Sequence, residues 1–222
     1  MNEKYAVIIT GGGSSIRYGN KNKLLEDLCG IPVFIHSVKN LSGFASKENF
    51  ILTVNQKDRA IFEEELEKYG LSGAITVVTG GNTRIESVQK ALDAVKLERG
   101  RVAVHDAARP LADAELLRTL FNDSRVNVIA AQKVVDSVKL CDENGKISGE
   151  VDRTFLWRAE TPQVFDIEQY RKAMQSAPDD ATDDGSIMRH AGFDVWVVRE
   201  EKENLKLTTS DDLKKLEKFC CR

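Results

Sequence analysis

The chain has 222 residues, 41% of them hydrophobic and 30% charged, a balance that fits a soluble globular protein with a substantial core. Its net charge of −3 excludes bulk, sequence-independent nucleic-acid binding, which needs a strongly basic face. The first apolar run is about six residues long, too short for a signal peptide or a membrane span, so a cytoplasmic protein with no membrane partner is expected.

The first predicted strand, Tyr5–Thr10, is β-branched and apolar and opens into Gly11, Gly12 and Gly13. Such a run reads as a buried parallel strand entering a loop. Glycines let backbone N–H groups approach a ligand, and Arg17 and Lys23 add two positive charges nearby. The segment fits a polyphosphate loop or, equally, a glycine turn with two solvated basic side chains. It is not a P-loop, because no Gly-Lys-Ser/Thr triplet closes it, and Ile16 occupies the position where the dinucleotide fingerprint needs its last glycine.

Further β-rich runs lie at residues 49–54, 75–79, 101–105, 126–131 and 194–198, most of them separated by helix-period segments. The clearest helix covers 83–95, with Ile85, Val88, Leu92 and Val95 on one face. Strands alternating with helices predict an α/β protein with a mostly parallel sheet. No linker or composition shift divides residues 1–222, so one domain is expected. Residues 133–156 break the rhythm: strand-like sequence surrounds Asn144-Gly145, a hairpin signal. A hairpin leaving an α/β body either folds back or clasps a partner. The last helix is expected to start at an N-cap, Ser210, with Asp211 and Asp212 facing the positive end of its dipole.

Ligands of open α/β sheets sit at the carboxyl ends of strands. The chemically notable residues collect there: Gly11 to Arg17 after the first strand, Gly80-Gly81-Asn82 with Ser87 after the third, and His105-Asp106-Ala107-Ala108-Arg109-Pro110 after the fourth. The last group also reads as a capped turn in which Asp106 pairs Arg109 and Pro110 opens a helix. Residues 151–165 combine charge and aromatic side chains around a Thr161-Pro162 turn, and Lys206 sits in a short extended run. The acidic residues Asp179, Asp180, Asp183 and Asp184 read as a solvated loop capping the next helix. His36 and His190 read as structural. Cys29, Cys141, Cys220 and Cys221 have no metal-ligand spacing and are expected to be reduced.

These residues, in this order over nearly the whole chain, resemble the cytidylyltransferases of the isoprenoid pathway, which join CTP to 2-C-methyl-D-erythritol 4-phosphate. The resemblance rests on the glycine loop with Arg17 and Lys23, on Gly80-Gly81 with Arg84, Ser87 and Val88, and on residues 105–110. It continues through Val151-Asp152-Arg153 with Leu156-Trp157, Thr161-Pro162-Gln163, Thr182-Asp183, and Asn204-Leu205-Lys206. It implies a Rossmann-like, GT-A-like nucleotidyltransferase fold and a homodimer interlocked by the 133–156 arm. Arg17, Lys23, Arg153 and Lys206 are then catalytic. Gly11, Gly12, Gly13, Gly81, Asn82, Ser87 and Asp106 bind the nucleotide. Asp106, Arg109, Ser137, Arg153 and Thr161 bind the polyol phosphate, with Arg153 serving the neighbouring site. Mg²⁺ is implied as cofactor, held mainly by CTP phosphates rather than by a protein metal site.

The chain departs from the family pattern at Ser14-Ser15-Ile16, at Tyr18, which stands in a methionine position, and at Asn82, where an acidic residue is common. An asparagine carbonyl can still accept from an amino group. Two rival readings share much of the pattern: a cytidylyltransferase acting on ribitol 5-phosphate, and a non-catalytic nucleotide-binding dimer. Ala108 and the Val-Asp-Arg and Leu-Trp pairs favour methylerythritol phosphate. Retention of Arg17, Lys23, Arg153 and Lys206 speaks against a pure binder.

Overall fold

A computed structural model describes residues 4–12 and 22–220. Strand β1 (Tyr5–Thr10) carries apolar side chains on both faces, and its alternation divides the core. Val7 and Ile9 join one buried cluster and Ala6 and Ile8 the other. Burial on both sides accounts for its uninterrupted apolar run.

The strands β4 (Phe50–Val54), β5 (Thr76–Thr79), β6 (Arg101–Asp106), β7 (Val128–Lys133), β10 (Trp157–Asp166) and β11 (Trp196–Arg199) complete a sheet ordered β11-β7-β10-β6-β1-β4-β5. Only β10 runs antiparallel to its neighbours. Two further pairs stand apart: β2 (Asp27–Leu28) with β3 (Ile31–Pro32), and β8 (Val138–Cys141) with β9 (Ile147–Val151). The cluster on one face takes side chains from α1 (Val33–Leu41), α2 (Arg59–Lys68), α4 (Ala114–Asn122) and α7 (Ser210–Cys220). The opposite face is covered by α3 (Arg84–Ala94), α5 (Ile167–Met174) and α6 (Asp184–His190).

The expected strands are all present, with boundaries moved by up to two residues. The 83–95 helix forms as α3, with Thr83 as N-cap, its hydroxyl accepting from the Glu86 N–H, and Val95 as C-cap. Helix α7 starts at Ser210 rather than being capped by it. Its first turn is held by Asp212, whose Oδ2 accepts from the N–H and hydroxyl groups of both Thr208 and Thr209. The hairpin at 133–156 forms as β8–β9, and its turn is fixed by Asp142 Oδ1, which accepts from the Asn144 and Lys146 N–H groups, with Gly145 at φ +82°.

Three expectations need correction. The segment read as a Thr-Pro turn is the middle of β10, a ten-residue strand whose register shifts between Ala159 and Gln163. Proline removes a ladder donor, so it is accommodated at such an irregularity, and the charged residues flanking it masked the strand signal. Cys29 is disulfide-bonded, while Cys141 and Cys220 are free; a bridge depends on proximity in the fold, which cysteine spacing does not encode. The acidic stretch is only partly solvated. Asp183 does cap α6, in a reciprocal box with Ser186, but Asp184 is fully buried. His36 is half-buried and bonds the Leu28 carbonyl, whereas His190 lies exposed at the end of α6. Among the described residues no helix is long and apolar enough to cross a membrane.

Candidate active site

In the sheet order, β1 leads to β4 on one side and has β6 on the other, so the crevice at the carboxyl ends of these strands is the position where open α/β sheets take ligands. A cavity of about 790 Å³ lies there, a size suited to a nucleotide. Its described lining includes Gly12 after β1, Asn55, Gln56 and Lys57 after β4, residues 79–84 after β5, Asp106 at the end of β6, Ser87 and Lys90 of α3, and Lys23 and Lys206. Lys23, Lys57, Arg84, Lys90 and Lys206 set five cationic groups against a single carboxylate. That excess of positive charge on a concave surface attracts a polyanion.

The loop after β5 owes its form to close contacts. The Gly81 N–H donates to Ser87 Oγ at 3.0 Å, and Ser87 Oγ donates to the Thr83 carbonyl at 2.8 Å. The Asn82 N–H donates to Glu86 Oε2 at 2.7 Å. A Cβ on Gly81 would lie 2.2 Å from Glu86 Cβ, so this position requires glycine. Gly11 ties the end of β1 to its neighbour by donating to the Thr53 carbonyl at 2.8 Å.

Asp106 is the hub. Its N–H donates to Thr161 Oγ at 3.0 Å, and its Oδ1 accepts from the Thr10 hydroxyl at 3.2 Å. Lys206 Nζ donates to Oδ2 at 2.5 Å, and Arg84 Nη2 stands 3.7 Å from Oδ1. Burial opposes the charge of this carboxyl, but Lys206 and Arg84 outweigh it and hold the group below the ordinary carboxylate range. Arg84 in turn forks onto Asp184, Nη1 to Oδ1 at 3.0 Å and Nη2 to Oδ2 at 2.6 Å. Asp184 raises the pKa of that guanidinium despite its burial. Lys23 Nζ donates to the Leu207 carbonyl at 2.7 Å, joining the first loop to the segment that carries Lys206.

The expected site residues divide accordingly. Gly12, Gly81, Asn82, Ser87, Asp106, Lys23 and Lys206 line the cavity. Thr161 supports it from below, its hydroxyl shared between the Asp106 N–H and His105 Nδ1. His105 is fully buried, and burial lowers its pKa to about 4, so the neutral ring fills a polar gap between Thr161 and the Arg109 carbonyl. Arg109 does not pair Asp106 by hydrogen bonds. Its Nη1 donates to the Asn204 carbonyl at 2.6 Å and lies 3.9 Å from Glu160. Ser137 and Arg153 are exposed on the arm and do not line the cavity. Gly13 and Arg17 lie outside the described residues.

Lys57, Arg84, Lys90, Asp184 and the residues after β4 were not singled out as site residues from the sequence. Arg84, Ser87 and Lys90 recur at three-residue spacing along α3, a helix-face signal that was available. Asp184 carried no local signal. Among the described residues no group of three or more His, Cys, Asp and Glu side chains is placed to hold a metal, and Asp106 is the one lining carboxylate. This donor set fits a hard divalent ion carried chiefly by phosphates.

Comparison with known proteins agrees with this geometry. Residues 5–221 match the family model IspD: 2-C-methyl-D-erythritol 4-phosphate cytidylyltransferase. The chain is 32% identical over 218 residues to the 2-C-methyl-D-erythritol 4-phosphate cytidylyltransferase of Dictyoglomus thermophilum, covering 95% of this chain and 94% of that protein. It is 34% identical over 215 residues to that of Bacillus licheniformis, covering 94% and 92%. The crystal structure of 4-diphosphocytidyl-2C-methyl-D-erythritol synthase from Anaerococcus prevotii superposes with a TM-score of 0.83 at 27% identity, covering 100% of this chain and 97% of that one. The chain belongs to the IspD family of 2-C-methyl-D-erythritol 4-phosphate cytidylyltransferases.

Proposed function

We propose that this chain joins CTP to 2-C-methyl-D-erythritol 4-phosphate, releasing pyrophosphate, as a single nucleotidyltransferase domain spanning residues 1–222 and acting in the cytoplasm. Family membership supports the reading, and the observation that carries it is the cavity at the carboxyl ends of β1, β5 and β6, with five cations facing one carboxylate. A phosphate oxygen of the acceptor attacks the α-phosphorus of CTP. The new P–O bond forms as the bond from the α-phosphorus to the bridging oxygen breaks, and pyrophosphate leaves with that electron pair. The attacking phosphate is already ionised near neutral pH, so positioning and charge neutralisation are what the protein must supply.

Lys206 and Lys23 supply cations to the phosphates, joined by Arg17, and backbone N–H groups of Gly12 and Gly13 meet phosphate oxygens, while Gly11, its N–H held by the Thr53 carbonyl, lets the nucleotide approach the end of β1. Asn82, Gly81 and Ser87 receive the base and ribose. Asp106 and Arg109, with Thr161 behind them, form the acceptor end. Mg²⁺, held mainly by the nucleotide's phosphates with Asp106 the described carboxylate in the same cavity, supplies further charge neutralisation when bound. Two chains clasp through the arm, so that Ser137 and Arg153 serve the neighbouring site.

The test is pyrophosphate release from CTP and Mg²⁺ with methylerythritol 4-phosphate and ribitol 5-phosphate side by side. Strong preference for the first is expected. Preference for ribitol phosphate would overturn the acceptor assignment, and CTP binding without turnover of either would overturn catalysis.

A further inference from the structure

Asp184 is a carboxylate with 0% exposure, and leaving a buried charge unpaired is costly. It is instead fully engaged. Tyr170, buried on α5, donates its hydroxyl to Oδ1 at 2.6 Å, and Arg84 occupies both oxygens at 3.0 and 2.6 Å. Three helices therefore meet at one group behind the cavity. Arg84 is the first residue of α3, the end at which the helix dipole disfavours a cation, and its side chain is 34% exposed where it lines the cavity. Without that anchor, only the 3.7 Å ion pair with Asp106 would hold it there. With one, its Nη2 is held between Asp184 and Asp106.

The other cation on Asp106 is Lys206. One of the three Lys206 donors is committed to Asp106 at 2.5 Å; as the ammonium moves onto a phosphate that bond weakens, and Asp106 then relies more on a second positive neighbour. Arg84, 3.7 Å from the opposite oxygen, is the group in place. We propose that Asp184, steadied by Tyr170, is a positioning residue that fixes Arg84 beside Asp106, so that the carboxylate stays in place as Lys206 is released to the nucleotide. The inference rests on the reading of Lys206 as a phosphate-binding group. The bidentate fork is central to it, because a lysine at position 84 would not span both carboxylates in the same way.

A double-mutant cycle tests it on the purified full chain, with kcat and KM for CTP measured for Asp184→Asn, Arg84→Gln and the pair, and for Lys206→Ala alone. Asp184→Asn is expected to lower kcat by about 10–30-fold with a change in KM of about threefold or less, as for loss of charge-assisted hydrogen bonds acting in the transition state. In the Arg84→Gln background the same change should cost about twofold or less, because the group through which it acts is gone. Effects that multiply in full would show that Asp184 only supports the fold and would overturn the proposal. Full activity of Lys206→Ala would instead overturn the reading of Lys206, leaving the two failures distinguishable. Should Asp184→Asn fail to fold, Tyr170→Phe replaces it in the cycle, since it removes one hydroxyl and keeps both Arg84 bonds. A drop of about threefold in kcat that disappears beside Arg84→Gln is then expected, and unchanged kcat would overturn the proposal.

Discussion

His105 is the residue whose environment is most at odds with its ordinary chemistry. It lies at the end of β6, fully buried, one position before the hub carboxylate. Burial lowers its pKa from 6.5 to about 4. The folded protein therefore keeps the ring neutral over a range in which the unfolded chain protonates it. Stability from this residue is complete above about pH 6.5 and is lost as pH falls towards 4, at roughly 1.4 kcal/mol per pH unit and about 3 kcal/mol in all. Glu160 and Glu200 are raised by burial and act with the opposite sign, while Asp106 is depressed and matters only below this window. Comparison with His105→Asn isolates the histidine. Urea unfolding at pH 7 and pH 5 should show wild type losing more stability than the variant; parallel losses would mean that His105 is protonated in the fold. The sequence named this residue only as part of a polar strand end. Asp184 was still less legible, because its partner Arg84 is a hundred positions away and only the packing of α3 on α5 and of α5 on α6 brings them together.

At the level of elements, periodicity located most strands and the clearest helix because their faces are buried in regular alternation. It failed at β10, where Arg158 and Glu160 interrupt the apolar pattern and Pro162 resembles a turn. Only the pairing of both edges of that strand, with β6 and β7, holds such residues extended. The loop between β5 and α3 was legible for a different reason: glycine has a specific steric use there. An alanine at position 81 would drive its Cβ against Glu86, whose carboxylate holds the Asn82 N–H. Both the turn and the start of α3 must then shift. Gly81→Ala is expected to raise KM for CTP about tenfold or more while kcat at saturation changes little, since the loop binds the nucleotide rather than the migrating charge. Titration calorimetry with CTP checks it. Unchanged affinity would remove this loop from the nucleotide site.

The molecule as a whole presents an arm that has no core of its own. Val135, Leu140, Ile147 and Phe155 are 75, 54, 59 and 82% exposed, and an isolated two-stranded hairpin is marginally stable in water. An apolar surface of this kind needs a covering partner, and the arm also carries Ser137 and Arg153 away from its own chain's cavity. If a second copy supplies the cover, each site combines Lys206 of one chain with Arg153 of the other. This arrangement can be separated from a site built within one chain by mixing inactive variants. In a mixed dimer of Arg153→Ala and Lys206→Ala subunits, one site would receive both intact residues and the other neither. Random exchange makes about half the dimers mixed, so recovery should approach about a quarter of wild-type turnover. Were Arg153 to act within its own chain, every site in the mixed dimer would carry one lesion. No activity would then return, even with subunit exchange verified by mass, and the arm would be left with a purely adhesive role.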